Sequence, residues 1–164
     1  MPIPRRRFAA AGAALAGLAG LGAHKPNPEE PPVDPTTTVY NIYPIGTVHN
    51  KKGQPTRLEV YPPYVPALHG LDCWTHVLVL WWFHQNDTPA KRRILQVHPR
   101  GNKRNPLNGV FATHAPVRPN LIAITTCKIR SVDGPYVTID RIDAFDGTPI
   151  LDLKSAGTRT PPLH

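Results

Sequence analysis

A small single-domain all-β fold is what this sequence predicts, and three observations carry that reading. The chain has 164 residues, which suits one domain with a real core. From residue 39 onward its apolar residues come in short alternating or β-branched runs split by turn residues. Proline reaches 21 residues, and Leu/Ala helical runs are scarce after the N-terminus, which argues against a helical bundle. Many short strands with Gly/Pro turns indicate a barrel or a sandwich. There is no internal repeat, no βαβ unit and no Gly-x-Gly-x-x-Gly, so a Rossmann-type cofactor site is not expected.

Val39 to Val48 is the first strand candidate, entered from Thr36-Thr37-Thr38. His49 to Gln54 is a polar turn around Gly53, and Leu58 to Tyr61 is a short strand. Tyr64 to Gly70 has room for one or two helical turns. Thr75 to Phe83 is the strongest element: continuous, aromatic and β-branched, it reads as a central buried strand in which Trp81 or Trp82 is core. Arg93 to His98 is another strand. Leu121 to Val132 is a long one, ended by the Asp133-Gly134-Pro135 turn. Tyr136 to Asp140 follows, Arg141 to Phe145 leads into Asp146-Gly147-Thr148-Pro149, and Ile150 to Leu153 alternates. One or two short helices complete the expected fold.

The N-terminus has a different composition. Arg5-Arg6-Arg7-Phe8 precedes Ala9 to Ala23, a run of Ala, Gly and Leu only. A charged start, a modestly apolar stretch and a small-residue end describe a signal segment, and Arg-Arg-x-Phe with a weakly hydrophobic core resembles a twin-arginine signal. Residues 1–24 therefore read as an export signal or membrane anchor, and 25–38, with five prolines, as a stiff linker. Residues 39–155 are the folded domain and 156–164 a tail. The expected location is exported or membrane-tethered through residues 1–24, or cytoplasmic if translation starts beyond them.

The formal net charge is +8, and setting aside Arg5, Arg6 and Arg7 leaves 16 Lys+Arg against 11 Asp+Glu. Such an excess fits an anionic partner such as RNA. Cys73 and Cys127 sit in apolar surroundings and read as buried free thiols rather than a disulfide. His49, His69, His76, His84, His98 and His114 are scattered without ligand spacing, so no structural metal is expected.

The most specific stretch runs from Gly109 to Asn120: Gly-Val-Phe-Ala-Thr-His-Ala-Pro-Val-Arg-Pro-Asn. It resembles the Gly-Val-Phe-Ala-Thr-Arg-Ser-x-x-Arg-Pro-Asn-Pro-Ile-Gly signature of the TrmO/TsaA-like (YaeB, VirR) family of S-adenosylmethionine-dependent tRNA methyltransferases. Three other blocks match in order: Ile45-Gly46-Thr47-Val48, Gly70-Leu71-Asp72-Cys73-Trp74-Thr75-His76 running on to His84-Gln85, and Asp146 to Lys154. The resemblance implies a compact β-barrel, a homodimer, S-adenosyl-L-methionine as cofactor, and methylation of N6 of threonylcarbamoyladenosine beside the tRNA anticodon. It places His84, Gln85, His114, Arg118, Asn120, Asp146, Gly147, Thr148 and Pro149 around the methyl donor.

Each of these residue types suits such a ligand. Arg118 is a permanent cation for a carboxylate or phosphate, and Pro119 biases it away from helix. Asp146 and Thr148 offer hydrogen bonds at a turn where Gly147 permits close approach. Lys91, Arg92, Arg93, Arg100, Lys103 and Arg104 form a basic stretch for RNA phosphates. The chain departs from the signature at His114-Ala115, in place of Arg-Ser, and at Leu121 and Ala123, in place of Pro and Gly. A mostly neutral His weakens anion binding at that point, and the backbone after Asn120 is expected to run differently.

Overall fold

In the computed structural model, residues 38–160 are described. Eight strands occur among them: β1 (Gly46–His49), β2 (Thr56–Val60), β3 (Trp74–Trp82), β4 (Gln96–Val97), β5 (Asn108–Gly109), β6 (Ile122–Asp133), β7 (Tyr136–Ile139) and β8 (Pro149–Arg159). Six of them close an antiparallel barrel in the order β1-β2-β7-β6-β3-β8, while β4 and β5 form a separate hairpin. The all-β barrel expected from the sequence is therefore the observed architecture. Its only α-helix among the described residues is one turn, α1 (Pro89–Arg92), accompanied by short 3-10 turns.

The core lies inside the barrel because each strand presents alternate residues inward. Val77, Val79 and Trp81 of β3 are buried among Val48, Leu58, Cys127, Val137 and Ile150 from other strands. Burying each large aliphatic side chain contributes about 1.5–3 kcal/mol. Leu78, Leu80 and Trp82 face outward and are half-buried, so β3 is buried on one face only and Trp81, not Trp82, is the core tryptophan. Both cysteines are free and buried, and burial, with Asp140 and Asp143 nearby, pushes the Cys127 thiol up to about 12.

Several expected boundaries move. The first strand begins at Gly46 rather than Val39; Pro44 has no N–H to give a ladder, and residues 38–44 run outside the sheet. The expected strand over Arg93 to His98 shrinks to Gln96–Val97. β8 passes the expected domain end at residue 155 and pairs through Arg159 with Trp74, so the tail begins later. The signal-like segment 1–24 and most of the 25–38 linker lie outside the described residues.

The register decides what meets at each end of the barrel. Trp82 pairs with Ile122 and Trp81 with Ile150. Thr47 pairs with Pro149 and His49 with Arg57. The exits of β1 and β3 and the entries of β6 and β8 therefore share one end, with the far-apart segments 49–55, 83–88, 113–121 and 140–148 above it.

Candidate functional site

At the exit of β3, His84 and Gln85 open a 3-10 turn (His84–Asn86). Lys91 Nζ donates to the Gln85 carbonyl (3.2 Å) and to Asn86 Oδ1 (2.9 Å). Thr88 caps α1 by accepting from the Lys91 N–H. Arg92 donates from Nε to Asp87 Oδ1 (2.8 Å) and from Nη1 to the Pro119 carbonyl (2.9 Å), and its guanidinium lies 5.2 Å from the Trp82 ring centre. Trp82 Nε1 donates to the other Asp87 oxygen (3.2 Å). The Arg92 hydrogen bond, against burial and aided by Trp82, holds the Asp87 carboxyl below the usual carboxylate range. Two of the cations expected on RNA are thus engaged within the protein: Lys91 ties α1 to the turn at the β3 exit, and Arg92 ties that turn to the loop before β6.

Arg118 closes that loop on itself. It donates from Nε to the Ala115 carbonyl (3.1 Å) and from Nη2 to the carbonyls of Val110 (3.0 Å) and Thr113 (2.8 Å). A guanidinium fork suits several acceptors in one plane. Leu121, next to the loop's end, is left-handed at φ 52° yet fully buried. Burial of its side chain and the Phe83 N–H bond to its carbonyl (2.9 Å) hold that costly conformation. Proline, locked near φ −65°, could not adopt it, so the replacement of the signature's Pro by Leu121 changes the backbone path here.

The Asp146-Gly147-Thr148-Pro149 turn is sewn to β1. Gly147 N–H donates to the Val48 carbonyl (2.8 Å) and Val48 N–H to the Thr148 carbonyl (2.9 Å). Gly147 takes φ 81°, a conformation glycine adopts without strain. Asn50, for which sequence reasoning had no signal, organises the turn. Its N–H donates to Asp146 Oδ1 (3.0 Å), its amide to the carbonyls of Ile142 (3.1 Å) and Ala144 (2.8 Å), and its Oδ1 accepts from Thr56 (3.1 Å). Thr148 is fully buried, and its Oγ1 has no partner among the described residues.

Three cavities surround this end. One of about 770 Å³ lies between residues 38–44 and the barrel, walled by Trp82, Arg92, Asn120, Ile122, Pro149 and Leu151. A second, about 1010 Å³, is a groove between the β4–β5 hairpin, with His98, Arg100 and Lys103, and the loop holding Thr113 and His114. A crevice of about 60 Å³ between Trp81, Phe83, Arg118 and Asp143 also touches His114. The structure thus brings Asn120, Pro149 and Arg92 to one cavity, and His114, Arg100 and Lys103 to another. His84, Gln85, Asp146, Gly147 and Thr148 share the barrel end without lining these three. Arg93 and Arg104 are exposed near the hairpin. Among the described residues no cluster of His, Cys, Asp or Glu could hold a metal ion, and no helix is long and apolar enough to cross a membrane.

Comparison with known proteins matches this geometry. The chain is 46% identical over 116 residues to a probable S-adenosyl-L-methionine-binding protein of Methanocaldococcus jannaschii, covering 71% of this chain and 91% of that protein. It is 35% identical over 106 residues to the mouse tRNA (adenine(37)-N6)-methyltransferase, covering 65% of this chain and 24% of the mouse protein. The crystal structure of TrmO from Pseudomonas aeruginosa superposes with a TM-score of 0.54 at 29% identity, covering 73% of this chain and 57% of that one. The chain therefore spans a little over half of the solved relative. The family model of the tRNA-methyltransferase O N-terminal domain matches residues 41–158, nearly all of the described barrel, and this chain belongs to that family.

Proposed function

We propose that this chain is an S-adenosyl-L-methionine-dependent methyltransferase acting on an adenine N6 in tRNA. The observation that carries the reading is the convergence, at one barrel end, of the segments after β3, before β6 and before β8. They lie far apart in sequence, and all three fall within residues 41–158, which the family model of the tRNA-methyltransferase O N-terminal domain matches.

The 770 Å³ cavity fits the donor. Its size is that of a small-molecule site. Its lining is mostly apolar; beside Thr38 and Tyr40, its polar residues are Asn120 and Arg92, whose guanidinium Nη2 makes no hydrogen bond among the described residues. Those two ends suit a carboxylate and ribose or adenine edges. When bound, the donor supplies an electrophilic methyl on its sulfonium. The chain's own task is to align donor with acceptor and keep water out. The separate basic groove, with Arg100 and Lys103, suits the RNA; the small crevice shares Ile122 with the cavity and His114 with the groove. A homodimer belongs to the same reading: outward-facing Ile124, 54% exposed on β6, leaves apolar barrel surface for a second copy.

Calorimetry of the full chain with S-adenosyl-L-methionine tests the donor assignment. Asn120→Ala is expected to weaken binding about fivefold, the worth of one hydrogen bond. Absence of binding at millimolar donor would remove the enzyme reading. Transfer of labelled methyl to tRNA tests the acceptor.

The Arg5-Arg6-Arg7-Phe8 segment and His114-Ala115 favour a second reading: an exported relative that methylates a small molecule or only holds a ligand. A reporter fused to residues 1–35 that stays in the cytoplasm would argue against it.

A further inference from the structure

We propose that Phe111 is a stacking platform for an unpaired RNA base at the mouth of the basic groove. This rests on the reading of the chain as an RNA methyltransferase and adds how the acceptor strand is gripped. Phe111 is 83% exposed, whereas its neighbour Val110 is 1% exposed. The turn has an anchor in the core and still presents a bare ring to solvent.

That turn is held on both sides. Val110 N–H donates to the Leu95 carbonyl (2.9 Å) at the foot of the β4–β5 hairpin. The Val110 carbonyl accepts from Arg118 Nη2 (3.0 Å), Thr113 Oγ1 (3.2 Å) and Thr113 N–H (3.3 Å). An aromatic ring on a fixed turn loses little freedom when a base stacks on it.

The residues just after Phe111 form one wall of the 1010 Å³ groove, and Arg100 and Lys103 stand on the other. The hairpin loop carrying those cations is braced by His98 Nδ1 donating to the Asn105 carbonyl (2.8 Å) and Asn105 Nδ2 donating to the Pro99 carbonyl (2.8 Å). A bare ring beside a cation-lined groove offers a face for a base and charges for its phosphates. An unpaired strand can use both, whereas a duplex hides its base faces.

The test measures affinity of the full chain for an RNA hairpin of anticodon-arm size and for a fully paired duplex of the same length, with S-adenosyl-L-methionine affinity in parallel. Phe111→Ala is expected to weaken hairpin binding about tenfold or more. Phe111→Leu, which keeps apolar bulk without a ring face, is expected to weaken it nearly as much, and Phe111→Trp to preserve it. Duplex and donor affinities should stay within about twofold. Unchanged hairpin affinity in Phe111→Ala overturns the platform and leaves the methyltransferase reading standing. A wild-type chain that binds donor but no hairpin removes the RNA reading and this inference with it. A loss of hairpin affinity that only follows conversion of a dimer to a monomer in sedimentation makes Phe111 a contact between copies and overturns the proposal.

Discussion

Arg118 shows how a sequence motif and a side chain's task can part. An arginine before Pro-Asn suggests a cation held out to an anion, yet three carbonyls of its own loop take up Nε and Nη2. Removing it should loosen residues 110–117 as a unit. Arg118→Ala is expected to lower stability by about 1.5–3 kcal/mol, the worth of hydrogen bonds from a charged group, and to speed amide exchange at Thr113 and Ala115. Arg118→Lys can reach one of these carbonyls but not all three, so it should recover only part of the loss. Unchanged exchange in Arg118→Ala would show that the loop stands without its clasp. The sequence identified this loop through its motif but could not assign the guanidinium, because backbone carbonyls carry no sequence signature. Asp87 was missed for a related reason: its partners, Trp82 and Arg92, each lie five residues away across a turn whose shape only the fold determines.

At the scale of elements, legibility followed hydrophobic period. β3 and β6 alternate β-branched and aromatic residues and were readable nearly to their ends. The second half of β8, Lys-Ser-Ala-Gly-Thr-Arg, has no apolar period, and its pairing with β3 rests on backbone bonds that any residue can make. The β1–β2 ladder holds a constraint invisible to period. A Cβ on Gly46 would run into the Glu59 carbonyl oxygen of the paired strand, and the next atoms it would meet are backbone of Glu59 and Val60. Gly46→Ala should therefore separate the two strands locally. The expected cost is about 1–3 kcal/mol, as for overpacking a core, read as a lower urea midpoint. A wild-type midpoint would mean that β1 slides to make room.

For the whole molecule, barrel closure and site assembly are one event. β1 meets β8 through only two Cα pairs, Gly46 with Ile150 and Thr47 with Pro149, the narrowest seam of the six-strand ring. Three backbone bonds extend it: Ile45 N–H to the Ile150 carbonyl, Val48 N–H to the Thr148 carbonyl, and Gly147 N–H to the Val48 carbonyl. The last two exist only while the Asp146–Pro149 turn stays folded over β1, and Asn50 keeps it there. Asn50→Ala deletes two donors and one acceptor, leaving the carbonyls of Ile142 and Ala144 and the Thr56 hydroxyl without those bonds. The expected loss is about 2–4 kcal/mol. Exchange at the Val48 and Gly147 amides should rise more than at Val77 and Val79 in the centre of the wall. Asn50→Asp keeps the acceptor and loses both amide donors, so it should fall between wild type and alanine. Because the cavity wall includes Pro149, donor affinity should fall in the same rank order. Uniform exchange across both seam and wall would show that Asn50 stabilises the barrel as a whole and that the seam is not its weak point.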